Sequence, residues 1–75
     1  MKPSEVIAGT KVKITGMRVF RDYEIGYITK TGWFKDESRN RLMAEVRLDS
    51  GAYRGRSFSI SISNLEVLEP VEDRV

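Results

Sequence analysis

Apolar side chains fall two apart along three stretches of this chain. In residues 11–15, Val12 and Ile14 share one side while Lys11 and Lys13 take the other, with Gly9 and Gly16 bracketing the segment. In residues 42–48, Leu42, Ala44, Val46 and Leu48 alternate with Glu45 and Arg47, and in residues 57–63, Phe58, Ile60 and Ile62 alternate with serines. A period of two is that of an extended chain whose successive side chains point to opposite faces, so all three read as half-buried strands. Residues 25–29 read as another strand, but Ile25 and Ile28 are three apart with Gly26 between them. That spacing predicts a bulge or sharp bend at Gly26.

The intervening segments are read from their breakers. Residues 17–24 mix charges and aromatics without a period and form a long first loop. Residues 31–41 are polar apart from Trp33 and Phe34, which suits a hairpin arm or a flexible loop. Residues 49–51 carry turn chemistry, because Gly51 can take positive φ without steric cost. Ser63 and Asn64 read as one helical turn feeding a short last strand over 65–68, and Pro70 opens a frayed end. The expected fold is therefore all-β: a single SH3-like barrel of about five antiparallel strands over residues 1–69, with a short helical turn before the last strand. Residues 70–75 form a flexible acidic tail.

Chain length sharpens this picture. At 75 residues, folding buries only about two-thirds of the unfolded surface, enough for one compact core. The chain has no Cys and no His, so disulfides, thiolate metal sites and the usual neutral-pH general base are all missing, and neither a metal nor a cofactor is expected. The cysteine count fits a reducing compartment, and no run approaches the roughly 20 apolar residues of a membrane span. The expected location is the cytoplasm. Net charge is +2, unevenly spread: between residues 10 and 56 basic side chains outnumber acidic ones eleven to six, whereas Glu66, Glu69, Glu72 and Asp73 near the end face only Arg74.

The strand-building residues carry resemblances. Gly9, Thr10, Val12 and Ile14, followed by Ile25, Gly26, Tyr27 and Ile28, resemble the opening of KOW-type SH3-like modules, which implies the same barrel and association with nucleic acid or a nucleic-acid-processing complex. The intervals from Val12 to Gly26, then to Val46 and Asp49, to Tyr53, Arg54 and Gly55, and to Asn64 and Leu65 are similar to those of the photosystem I subunit IV family. These motifs build barrels, so they bear on fold more than on function. A weaker resemblance is to type II plasmid dihydrofolate reductases, in which a segment equivalent to residues 57–61 binds substrate through Gln and Tyr. Here both positions are Ser, so the side chains that family uses for folate and nicotinamide are absent.

No other catalytic arrangement stands out. Asp36 and Glu37 are neighbours in a solvated segment, and Gly51 and Gly55 match no phosphate-cradling glycine pattern. The chain is expected to be a binding module rather than an enzyme. The candidate contacts are Trp33 and Phe34 with Lys35, Arg39 and Arg41, where stacking rings interleave with cations as in proteins that grip nucleic acid. Arg18, Arg21, Arg54 and Arg56, with Tyr23, Tyr27 and Tyr53, extend this set if the first loop and the fourth strand share a face. Eight of the 13 cations are Arg, whose planar fork suits phosphate and stacks on bases. Two alternatives stand beside this: Trp33 or Phe34 plugs one end of the barrel, or the same Arg and aromatic side chains, with Met43, dock a protein partner as a subunit of a larger assembly.

Overall fold

The computed structural model describes residues 1–18 and 24–71. Most of the expected first loop, residues 19–23, and the end of the expected acidic tail, residues 72–75, lie outside the described residues. The fold is all-β, with six antiparallel strands in one sheet: β1 Lys11–Ile14, β2 Ile25–Ile28, β3 Phe34–Asp36, β4 Arg41–Leu48, β5 Ser57–Ser61 and β6 Leu65–Glu69. Two 3-10 turns complete it, one at Pro3–Glu5 and one at Ile62–Asn64 directly before β6. β4 is the hub, since its eight residues pair with β2, β3 and β5. β2 continues to β1 and β1 to β6. Among the described residues no helix is long and apolar enough to cross a membrane.

The period-two stretches turn their apolar sides into one core. Val12, Ile14, Ile28, Ala44, Val46, Leu48, Ile60, Ile62 and Leu65 are buried together, and removing such side chains from water is the main term favouring the fold. Leu42 and Phe58 lie half-buried at its margin. Phe58 meets Tyr53 edge to face, with ring centroids 5.6 Å apart, which places Tyr53 at the core's edge.

The structure settles or changes three expectations. Residues 31–41 contain a sixth strand, β3, which makes them a hairpin arm on β4. No bulge occurs at Gly26: both ladders pass it in unbroken register, with Val12 on one side and Leu48 on the other. Gly26, not Ile25, takes the inward position beside Ile28. A Cβ there would come within 2.7 Å of both the Arg47 carbonyl oxygen and Val46 Cγ1, so the glycine marks close packing of two strands. The irregularity lies elsewhere, where the β1–β6 register steps from Lys11 opposite Glu69 to Val12 opposite Val67, leaving Leu68 as the extra residue.

β5 also ends earlier than its alternation suggests. Ser61 is buried, and the chain then leaves the strand into the 3-10 turn, which keeps Ile62 on the core side. The Ser61 and Ser63 hydroxyls lie 2.9 Å apart and share a hydrogen bond, so the buried polar group is satisfied. The first ten residues are part of the structure as well. Val6 and Thr10 are buried, and the Met1 ammonium donates to the Ile62 and Leu65 carbonyls at 3.0 and 2.6 Å, tying the N-terminal segment to the last turn.

Candidate nucleic-acid interface

Residues directly opposite in an antiparallel ladder share a face, so the registers fix what the sheet shows to solvent. On β4 the outward residues are Arg41, Met43, Glu45 and Arg47, opposite to the core-facing Leu42, Ala44, Val46 and Leu48. Phe34 lies across from Met43 on one side and Ser61 across from it on the other. The β3–β4 turn carries Arg39 past this face. Its geometry is set locally: Asp36 Oδ1 accepts the Ser38 amide at 3.1 Å and the Ser38 hydroxyl at 2.7 Å, and Asn40 takes the left-handed φ of 53° that Asn tolerates. The Ser38 hydroxyl is also the main reason the Asp36 carboxyl is held below its ordinary pKa, with backbone amides and the nearby Arg39 charge adding to it.

Arg39 and Arg41 meet the other end of the chain here. A hollow of about 540 Å³ is lined by Gly16, Met17, Arg18, Arg41, Ser63 and Asn64. It runs into a smaller one of about 90 Å³, where Arg39, Met43, Ser59 and Ser61 join Met17, Arg41 and Asn64. Asn64 is fixed in this wall, since its side-chain amide donates to the Thr15 carbonyl at 3.0 Å. Together they form one groove with three guanidinium groups, hydroxyl and amide side chains, two thioethers and, among the described residues, no carboxylate in its lining.

Three of the lysines are engaged by glutamates. Lys11 pairs with Glu69, Lys13 with Glu66 and Lys30 with Glu45. Among the described residues Arg18, Arg39, Arg41, Arg47, Arg54 and Arg56 make no ion pair. The acids of β4 and β6 thus neutralise Lys11, Lys13 and Lys30, and the arginine forks, like Lys2 and Lys35, form no ion pair among the described residues.

Of the candidates from sequence, the structure brings Arg18, Arg39 and Arg41 into one groove, with Phe34 across the ladder from its Met43. Trp33 and Phe34 are 49% and 45% exposed, so neither plugs the barrel. Lys35 pairs with Leu42 and points to the opposite side of the hairpin from Phe34. Arg54 lies apart, in a hollow of about 360 Å³ with Tyr27, Thr29, Arg47 and Asp49. Arg56 is exposed and lines none of these three hollows. Arg21 and Tyr23 lie outside the described residues. Sequence reasoning passes over Met17, Ser59, Ser63, Asn64 and Arg47; the outward phase of Ser59 and Arg47 is the signal that could have found those two.

Among the described residues no three His, Cys, Asp or Glu side chains gather as metal ligands would. Glu24 is 8% exposed with Oε2 lacking a hydrogen-bond partner, but it lies under Gly51, on the far side of β1 from the groove's Asn64 wall. Compared with known protein families, curated proteins and solved structures, the chain finds no match.

Proposed function

We propose that this chain is a non-catalytic binding module that holds the phosphate backbone of nucleic acid in the groove formed by Arg18, Arg39 and Arg41. The observation that carries this reading is the placement of charge: among the described residues, glutamates occupy three lysines, while three arginines without an ion pair converge on a lining with no carboxylate. A guanidinium presents a planar fork that matches two phosphate oxygens, and Ser59, Ser63 and Met17 add hydroxyl donors and an apolar floor. The KOW-like residues of β1 and β2 agree with such a role, and a cytoplasmic setting belongs with it.

A docking subunit of a larger assembly is the second reading. It is favoured by Leu68 and Val71, which are exposed on and just after β6, where β6 pairs only with β1 among the described residues. Salt separates the two, because phosphate binding releases counterions and an apolar interface does not.

Trp33 is the sole tryptophan and is half-exposed beside β3, so its emission reports on this end of the molecule. Titration with mixed single- and double-stranded oligonucleotides at two salt concentrations should show binding that weakens steeply with salt. Absence of any binding tighter than about 100 μM at low salt, weaker than ordinary non-specific association, would overturn the proposal.

A further inference from the structure

We infer that the groove selects single-stranded nucleic acid, seating a phosphate among the arginines and stacking an unpaired base on Phe34. This rests on the phosphate-binding reading above and adds the class of strand. Phe34 stands directly across the ladder from Met43, whose side chain lines the smaller hollow with Arg39 and Arg41. The ring is 45% exposed, and no aromatic neighbour covers it among the described residues. The ring and the guanidinium groups of Arg39 and Arg41 flank the same Met43, which sets a stacking surface beside the phosphate site.

The geometry disfavours a duplex. Bases in a duplex are stacked on each other and paired, so they offer Phe34 no face, whereas a single strand can turn a base outward. The hollows, at about 540 and 90 Å³, are bounded by the β3–β4 turn on one side and the Ile62–Asn64 turn on the other. A single strand can bend to follow the hollows between these turns, whereas a duplex is a stiff rod over this length. Stacking on an aromatic ring tolerates any base, so little sequence preference is expected.

The test is fluorescence anisotropy of dye-labelled oligonucleotides, single-stranded and duplex, against the intact chain and three variants at Phe34. Because Phe34 is exposed at the end of the sheet, Phe34→Ala should fold, with circular dichroism as the check. Single strands should bind more tightly than duplex. Phe34→Ala should lose about 5- to 100-fold in single-strand affinity with little change toward duplex, Phe34→Leu should behave like Phe34→Ala, and Phe34→Tyr should retain binding. If single strands and duplex bind equally and the variants change neither, the inference fails while the phosphate reading stands. If no oligonucleotide binds, both fall. If Phe34→Leu binds as well as the parent chain, apolar bulk rather than a ring face is at work, and stacking is refuted.

Discussion

At the scale of single residues, the side chain that is missing can matter as much as those present. Gly26 faces the core between Val12 and Leu48, and its bare Cα lets Val46 Cγ1 and the Arg47 carbonyl close on β2. A methyl group at that point meets backbone, which cannot swing aside as a long side chain would. Gly26→Ala should therefore destabilise the fold by about 1–3 kcal/mol, the usual cost of overpacking, and lower the melting temperature by roughly 4–8 °C for each of those kcal/mol in a domain of this size. Differential scanning calorimetry checks it. An unchanged or raised melting temperature would mean that β2 and β4 are not packed this closely. Gly51 has a different constraint, a φ of +79° with the Glu24 carboxylate directly beneath it, so that turn depends on glycine for both conformation and space.

At the scale of elements, the β3–β4 hairpin is a small unit with its own switch. Asp36 accepts two hydrogen bonds from Ser38, and these stabilise the ionised carboxylate. A carboxyl whose folded pKa is depressed contributes stability that is present above its unfolded pKa and is lost as pH falls through the folded one. The turn should therefore hold above the ordinary Asp value of 3.8 and loosen only below it. An NMR titration of the Asp36 carboxyl and the Ser38 amide should give a midpoint under that value, and Ser38→Ala should move it upward. A midpoint at or above the ordinary value would show that the hydrogen bonds do not persist in solution. This hairpin is only partly legible in the sequence. β4 can be read because its alternation reflects one buried and one wet face, but β3 has three residues with none buried, so hydrophobic period says nothing about it. The bend expected at Gly26 fails for a related reason: a glycine inside a strand signals either a bend or a close approach, and only the neighbouring strands decide which. The role of Val6 and Thr10 in the core depends on packing against distant strands, which no local pattern encodes. The candidate groove divides in the same way. Arg39 and Arg41 stand out beside the aromatics, whereas Met17 and Asn64 join them only because the last turn folds back against β4.

At the scale of the molecule, the question is whether net charge or its placement governs binding. A basic chain attracts polyanions whatever its detail, so weak association alone proves little. The pairing pattern offers a sharper comparison. Arg39→Ala with Arg41→Ala and Lys11→Ala with Lys13→Ala each remove two positive charges, bringing the formal net charge of +2 to zero in both cases. The lysines are already engaged with Glu69 and Glu66 on the β1–β6 ladder, whereas among the described residues Arg39 and Arg41 form no ion pair, Asp36 lying near them without closing one. If the groove is the binding surface, the arginine pair should lower affinity for oligonucleotides. It should also reduce the slope of log K against log salt by about 0.7 for each single-strand phosphate that the protein no longer neutralises, or about 0.9 on duplex. The lysine pair should leave that slope near the parent value, because those charges release no counterions from the ligand. Both variants should keep the parent fold by circular dichroism, since all four side chains lie outside the core. Equal losses from the two pairs would show that the chain attracts nucleic acid through its overall field, with no groove to speak of, and would withdraw Arg39 and Arg41 from the site.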